Sequence, residues 1–250
     1  GILFDDFNHI FTSTLERQSN FYRAIVVALT NANAEQTNLL RELNVKSGGQ
    51  VSEYIDELID AGFIERHYTW SLRDGKTSRL SQYRLCDNYI RFYLKYIYPS
   101  SHKIIDQNYQ FKSLANLTSW MSIMGLQVEN LVINNRHEII KKIGICVDDV
   151  INSGPYFQRK TQRIKGCQID LLVQVKMNSL YVCEVKFSSQ VIRIDIVDEV
   201  KEKVARLSLS GGFSIRPVLI HAGYVHDAVV DSGYFAKIIN LSELLSDEEK

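Results

Sequence analysis

Hydrophobic residues recur at helical spacing in the early part of the chain. A first helix is predicted over residues 21–30, a second ending near Leu43, and a third that begins at Val51. Asn33 is expected to cap the second helix, because a glutamine follows three residues later as in a capping box. Gly62 occupies the position where a left-handed residue commonly ends a helix. Three short amphipathic helices are therefore expected in succession.

The hydrophobic pattern then changes to strands. Residues 63–70 and 79–85 predict a β-hairpin with Asp74-Gly75 at its tip. One helix, a helix-turn-helix and a two-stranded hairpin form the layout of a winged helix-turn-helix domain. We place this predicted domain at residues 20–98.

Aromatic residues dominate a further helix over residues 88–98, which Pro99 is expected to stop. Their spacing is that of one helix face, which favours core packing over base stacking. Residues 99–113 are polar and are predicted to form a linker. The aromatic positions are Tyr89, Phe92, Tyr93 and Tyr96.

Helices and strands alternate in the second half, which predicts an α/β domain with a mixed sheet over residues 114–246 and an α+β organisation overall. The predicted elements are helical sequence over 114–143, strands over 146–151, 167–175, 180–187, 216–221 and 236–240, and a helix over 194–209.

Composition and charge exclude few functions. The 250 residues are 45% hydrophobic, and 29 basic residues balance 29 acidic ones, so any nucleic-acid contact must come from local patches. No apolar run reaches membrane-spanning length and the cysteines lack zinc-site spacing, so a cytoplasmic protein with no membrane partner is expected. The chain begins without methionine, and residues 1–19 are expected to be the tail of a preceding module. The cysteines are Cys86, Cys146, Cys167 and Cys183.

Two consecutive predicted strands carry the candidate chemistry. Asp170 lies on the first, and Glu184-x-Lys186 lies on the second, where side-chain alternation puts Glu184 and Lys186 on one face. Asp170 and Glu184 are predicted to bind Mg²⁺ or Mn²⁺, which would polarise a phosphate and lower the pKa of a water. Lys186 would orient that water or neutralise charge in the transition state. The alternative is a cross-strand ion pair on a solvent-exposed strand face.

Glu129 is predicted to be a third metal ligand from the preceding helix. It lies on an apolar stripe, where a lone acid is expected to face a partner. Convergence of Glu129, Asp170, Glu184 and Lys186 in one pocket is therefore the geometric condition for hydrolysis. If Glu129 lies elsewhere, hydrolysis is not expected. The neighbours of Glu129 on the stripe are Gly125, Leu126, Val132 and Ile133.

Basic residues form two candidate contacts for a nucleic-acid backbone. Arg159, Lys160, Arg163 and Lys165 cluster in one loop, although an ordinary solvated loop has the same composition. The wing is the second candidate, and charge reversal at Arg73, Lys76 and Arg79 is the test. The basic wing residues are Arg66, His67, Arg73, Lys76, Arg79 and Arg84.

The third helix argues against ordinary major-groove readout. Its exposed face carries four acids, which would repel a phosphate-lined groove. A protein contact suits this helix at least as well, and DNA binding is expected through the wing if it occurs. The acids are Glu53, Asp56, Glu57 and Asp60.

The order of these motifs resembles the C-terminal half of the archaeal-type P-loop ATPases, a branch of the STAND/AAA-like NTPases. In that family an ATPase module precedes a winged helix and a PD-(D/E)XK restriction-endonuclease-like domain, a mixed sheet flanked by helices. The similar segments are residues 51–64, 83–93, 127–132, 168–172 and 183–187.

Two departures from the family limit what the resemblance implies. The family usually has Glu where this chain has Gln168, which would weaken metal binding. The P-loop sequence G-x-x-x-x-G-K-[ST] is absent, so ATP is expected to bind only to an ATPase module outside these residues. That module is one expected partner, and DNA is the other.

Three functions therefore stay open after the sequence. The chain could contain a metal-dependent DNA endonuclease regulated by an ATPase. It could be a nucleic-acid-binding module with an inert nuclease fold, or an inert scaffold that contacts other proteins for the ATPase. Oligomeric state, substrate form and sequence preference have no sequence signal.

Overall fold

A computed structural model describes residues 19–110, 113–162, 164–209 and 211–244. The chain is mixed α/β and divides into two compact units. The first unit runs up to His67 and includes Ser81–Ile123, and the second comprises Tyr68–Leu80 and the chain from Met124 onward. The outer part of the hairpin thus belongs to the second unit. Within the described ranges, no helix is both long enough and apolar enough to cross a membrane.

The first unit contains the predicted succession of three helices, a hairpin and an aromatic helix. Its core is formed by α1, α3 and the inner part of the hairpin, around Ile25, Leu58 and Tyr83. The elements are α1 (Ser19–Ala28), α2 (Gln36–Glu42), α3 (Gly49–Asp60), β1 (Ile64–Trp70), β2 (Thr77–Leu85), α4 (Asn88–Phe92), a π-helical turn (Tyr93–Ile97), a 3₁₀ turn (Tyr98–Ser100) and α5 (Ser101–Ile105).

Two details of this unit differ from the prediction. Helix α2 begins at Gln36 without a cap from Asn33, because Ala34 exchanges two backbone hydrogen bonds with Tyr83 and is held extended. Pro99 does not stop the helical path, since it occupies the first turn of a 3₁₀ helix, where its missing N–H costs little. The path continues through α5, within the stretch predicted to be a linker.

The aromatic helix packs in the core as predicted, since Tyr93 and Tyr96 are buried. Arg91 on α4 is also fully buried. Its guanidinium donates to the carbonyls of Thr30 and Leu85, both at 2.8 Å. Arg91 therefore satisfies backbone acceptors that no helix bond reaches, which explains an arginine in the core.

The second unit is built on a five-stranded sheet in the order β3-β4-β5-β6-β7. Strands β3, β4 and β5 pair antiparallel, whereas β5, β6 and β7 pair parallel, so the predicted mixed sheet is present. The elements are α6 (Trp120–Asn134), α7 (Arg136–Ile143), β3 (Val150–Gln158), β4 (Cys167–Val175), β5 (Ser179–Phe187), α8 (Asp195–Arg206), β6 (Ser214–Ala222), α9 (Asp227–Asp231) and β7 (Lys237–Asn240).

Strand β3 was predicted at residues 146–151 but runs later along the chain. Residues Val147–Asp149 form a 3₁₀ turn, and the strand continues through Gly154-Pro155. Glycine and proline are atypical of a central strand. Strand β3 lies at the edge of the sheet, where the missing N–H of Pro155 need not remove a hydrogen bond between strands.

The sheet has two covered faces, which we name after the helices that pack on them. On the α6 face, helices α6 and α7 bury Val128, Val132, Ile139 and Ile140 against Leu171, Val173, Cys183 and Val185. On the α8 face, Leu172, Leu180 and Val182 lie in a cluster to which α8 contributes Val204.

The outer part of the hairpin also packs on the α8 face. Trp70 is buried against Tyr156 in an edge-to-face contact, with ring centroids 5.3 Å apart. Its Nε1 donates to Gln174 Oε1 at 2.7 Å, and Gln174 Nε2 donates to the Leu72 carbonyl at 2.8 Å. Both polar ends of a buried glutamine are thus satisfied by the hairpin, which makes residues 68–80 an integral part of this unit.

Candidate functional site

An irregularity in β4 positions the first carboxylate. Between the pairs Gly154–Leu172 and Tyr156–Ile169, β3 advances by two residues while β4 advances by three. One extra residue in a strand forms a β-bulge, which changes the direction of the local side chains. Asp170 lies within this bulge.

The β4–β5 ladder ends beside the same residue. Its last pair toward this end of the sheet is Leu171 with Cys183. Beyond it, the Val185 N–H donates to Asp170 Oδ2 at 2.9 Å. The carboxylate of Asp170 therefore replaces a carbonyl of β4 as the acceptor, and the two strands separate around it.

Electrostatic conditions around Asp170 are unfavourable to its charge. Burial, followed by the negative charge of Glu184, raises the pKa of Asp170, because both disfavour the carboxylate form. The Lys203 ammonium, the Val185 N–H and the Lys186 ammonium act in the opposite direction and do not cancel the increase. An additional cation would relieve this repulsion.

Glu184 is the most enclosed charged group of the site, at 3% exposure. Lys186 Nζ lies 3.4 Å from its Oε1, and Lys203 Nζ donates to its Oε2. Lys186 Nζ also contacts Glu199 Oε2 at 2.8 Å. A buried carboxylate is stable only with such compensation, and the two lysines supply it for Glu184.

Lys203 and Glu199 were not predicted from the sequence, and both come from α8. They are four residues apart and so lie on one side of the helix. Lys203 directly precedes Val204, which packs against the sheet. The sequence did contain a signal for Lys203: it borders the apolar stripe of the helix that follows the Glu-x-Lys strand. It is the same kind of signal that identified Glu129.

Glu129, the predicted third ligand, lies on α6. Helix α6 packs on the face of β5 that carries Cys183 and Val185. Glu184 alternates with those residues and points to the α8 face. Among the described residues, no three His, Cys, Asp or Glu side chains lie close enough together to hold a metal ion. A cluster of three such ligands is therefore not found in the described part of the chain, and the role of Glu129 stays a prediction.

The donor set fits a hard divalent cation in its chemistry. Asp170 and Glu184 offer carboxylate oxygens, and Mg²⁺ uses one or two carboxylates together with water and phosphate oxygens. Burial and then the repulsion by Glu184 raise the pKa of Asp170, and a cation would offset that repulsion. The two residues would hold the metal, with Lys186 beside them.

The predicted basic loop lies at the same end of the sheet as the carboxylates. It joins the end of β3 to Cys167 at the start of β4, three residues or about 10 Å from Asp170. Arg159 and Lys160 are exposed. Arg163, also predicted to contact nucleic acid, lies outside the described residues.

The predicted wing contacts lie at the other end of β3. Asn152 Nδ2 donates to the Gly75 carbonyl at 2.8 Å, and Asn152 pairs with Gln174 rather than with the bulged end of β4. Arg73 and Lys76 lie within two residues of Gly75 in the chain, and Arg73, Lys76 and Arg79 are all exposed. The structure therefore does not bring these three residues together with the carboxylates.

Arg84 is a correction to the set of basic wing residues. It is 2% exposed, and its guanidinium pairs with Glu65 at 2.6 Å. Hydrogen bonds from His67 and Arg84 lower the pKa of Glu65 to about 2, despite partial burial. Arg84 is thus a core ion-pair residue and is not on a surface that DNA could reach. The acids of α3 are exposed as expected.

No protein-family model matches the chain, and no curated protein matches it. Among solved structures it is similar to a repair endonuclease from Pyrococcus abyssi, with 15% sequence identity and a TM-score of 0.29. The match covers 53% of this chain and 48% of the endonuclease chain, so the chain spans about half of that protein's length.

Proposed function

We propose that the second unit is a PD-(D/E)XK nuclease-like domain that hydrolyses phosphodiester bonds of nucleic acid with Mg²⁺ or Mn²⁺. One observation carries this proposal. Where β4 is bulged and its pairing with β5 ends, the carboxylate of Asp170 accepts a hydrogen bond from Val185, which lies between Glu184 and Lys186. A partly buried carboxylate beside a second one, with its charged form disfavoured, is typical of metal sites.

Each residue has a distinct role in this proposal. Asp170 and Glu184 would hold the metal, which when bound polarises the phosphate and lowers the pKa of the attacking water. Lys186 is kept beside Glu184 by Glu199, so its ammonium is positioned to neutralise negative charge on the phosphate in the transition state. Glu129 on α6 stays a predicted additional ligand, direct or through water, beside the pair Asp170 and Glu184.

The inert scaffold is a second candidate with its own support. Glu184 already has two ammonium partners, Lys186 and Lys203, so its charge is compensated without a metal. In addition, no three His, Cys, Asp or Glu side chains among the described residues lie close enough together to hold a metal ion. In that case the unit would serve protein contacts.

For the first unit we propose a winged helix-turn-helix that precedes the nuclease-like domain in a P-loop ATPase. Support comes from the order of α1, α2, α3 and the β1–β2 hairpin, and from the motif resemblance of the sequence. ATP binding is assigned to an ATPase module outside these residues, because the chain has no P-loop sequence. That module would be a partner of both units.

Incubation with supercoiled plasmid DNA and Mg²⁺ or Mn²⁺ tests hydrolysis. We expect the wild-type protein to nick the plasmid and Lys186→Ala to lower the rate at least about a hundred-fold, because a positioned charge at the transition state is lost. The matched control is Lys201→Ala, since Lys201 is an exposed lysine on α8 that pairs with Asp198. Gel densitometry over time measures the rates.

If the wild-type protein neither nicks DNA nor binds metal in a calorimetric titration, the inert scaffold is the correct function. Equal rates for Lys186→Ala and Lys201→Ala would reject the role given to Lys186, and would point to a contaminating nuclease when both match the wild type.

The exposed basic residues of the hairpin give a separate prediction for nucleic-acid binding. Reversing Arg73, Lys76 and Arg79 to Glu should weaken DNA binding and flatten its salt dependence, since each lost phosphate contact removes about 0.9 from the slope of log K against log salt. Fluorescence anisotropy at several salt concentrations measures both quantities. Charge reversal at the exposed Lys103 and Lys237 is the control. A slope unchanged from the wild type would contradict binding through the wing.

A further inference from the structure

The two lysines that contact Glu184 are held differently. Lys186 bridges two carboxylates, Glu184 at 3.4 Å and Glu199 at 2.8 Å. Within the described ranges, the ion pair of Lys203 Nζ is with Glu184 alone. Lys186 would therefore keep Glu199 if it lost Glu184, whereas the carboxylates that interact with Lys203 are Asp170 and Glu184, the two that would hold a metal.

The Lys203 side chain can also leave the site toward solvent. Its side chain is 30% exposed at the edge of the packed face of α8. A lysine has four flexible methylene groups, so the ammonium can turn to solvent without any movement of the helix. Glu184, at 3% exposure, cannot make the equivalent movement.

Charge balance shows why one lysine would have to move. Asp170 and Glu184 carry two negative charges, and Lys186 and Lys203 supply two positive ones close to them. A divalent cation added to this set would meet two ammonium groups at short range, and that repulsion is strong in a poorly solvated site. Release of one ammonium reduces it.

We propose that Lys203 is a tethered counter-ion, which neutralises Glu184 while no metal is bound and is displaced by the divalent cation. This inference rests on the proposed function in one respect, that Asp170 and Glu184 are the metal carboxylates. Lys203 thereby lowers the metal affinity of the site and, once displaced, presents its ammonium at the edge of the cluster, where a substrate phosphate would contact it.

Isothermal titration with Mn²⁺ tests the competition without any need for activity. Lys203→Gln keeps a hydrogen-bond donor for Glu184 but removes the charge. We expect this variant to bind Mn²⁺ about ten-fold more tightly than the wild type. Lys201→Gln, a change of the same type on the same helix, should bind as the wild type does. Unchanged or weaker binding by Lys203→Gln would overturn the inference.

Lys203→Arg should change the Mn²⁺ affinity in the opposite direction. It provides a second test if Lys203→Gln does not fold. A guanidinium holds a carboxylate by two parallel hydrogen bonds, so this variant should bind Mn²⁺ more weakly than the wild type. Binding by Lys203→Arg that equals or exceeds the wild type would also reject the role of Lys203.

Parallel nicking assays separate this inference from the proposed function. If the wild type binds and cuts but Lys203→Gln binds no more tightly, the counter-ion is rejected and the nuclease stands. If only Lys203→Gln binds Mn²⁺, the counter-ion stands and wild-type hydrolysis is rejected. If no protein binds metal, both are rejected.

Discussion

Asp170→Asn should nearly abolish the proposed phosphodiester hydrolysis and at the same time stabilise the second unit. Asn keeps an oxygen that accepts from the Val185 N–H but loses a carboxylate that would hold the metal. We expect the nicking rate to fall about a thousand-fold, which corresponds to about 4 kcal/mol. The stability should rise by about 1–2 kcal/mol, because a buried charge near Glu184 is removed.

The size of the stability effect depends on pH. The pKa of Asp170 is raised in the folded protein, so the folded state binds a proton at a higher pH than the unfolded chain does. The wild type therefore gains stability as pH falls from neutral toward the ordinary carboxyl pKa of about 4. Asn does not titrate, so the advantage of Asp170→Asn is greatest at neutral pH and above, and it disappears near pH 4.

Urea unfolding at several pH values, beside a plasmid assay, measures both effects. Asp198→Asn is the control, since Asp198 is an exposed acid on α8 and its replacement should change neither quantity. An Asp170→Asn variant that is less stable than the wild type at neutral pH would show that Asp170 is a structural ion-pair residue. The inert scaffold would then be favoured.

The sequence was sufficient to locate the strands that carry the site. Strand β4 has the predicted limits, and β5 begins one residue before its predicted start, because both are short apolar runs bounded by polar residues. The position of Asp170 relative to Glu184 could not be obtained in this way. It depends on a bulge formed against β3, a strand whose Gly154-Pro155 is atypical of strands.

The prediction for Glu129 shows the limit of an apolar helix stripe as a signal. An apolar stripe predicts that a helix packs on the sheet, but both faces of this sheet are apolar, so the stripe does not say which face. The same limit hid Lys203 on α8. Which helix covers the face of Glu184 is decided by chain connections that leave no local pattern.

The hairpin gives the clearest case of information missing from local sequence. Its strands were predicted, but the contact between Trp70 and Gln174 joins residues 104 positions apart. Burying a glutamine costs folding free energy unless both its polar groups are hydrogen-bonded. The hydrophobic periodicity of the sequence does not indicate which residue will be its partner. The packing of residues 68–80 with the second unit was therefore beyond sequence-based prediction.

Trp70→Ala should destabilise the second unit by about 3–5 kcal/mol, the usual cost of removing a buried tryptophan. The edge-to-face contact with Tyr156 is lost, and Gln174 Oε1 is left without the indole donor. Tyr68→Ala is the matched control, because Tyr68 lies on the same strand but is 42% exposed. Its replacement should cost less than about 1 kcal/mol.

Chemical unfolding followed by far-ultraviolet circular dichroism measures both variants, since Trp70 itself is a fluorescence reporter and is removed. The difference in free energy of unfolding between the two variants tests whether residues 68–80 fold as part of the second unit. If the outer part of the hairpin did not pack on the second unit, Trp70→Ala would leave this unit folded. It would then lower the free energy of unfolding no more than Tyr68→Ala does. A gap of several kcal/mol instead requires that the hairpin stay packed on the α8 face. Any contact of Arg73 or Lys76 with nucleic acid must then be made from that packed position.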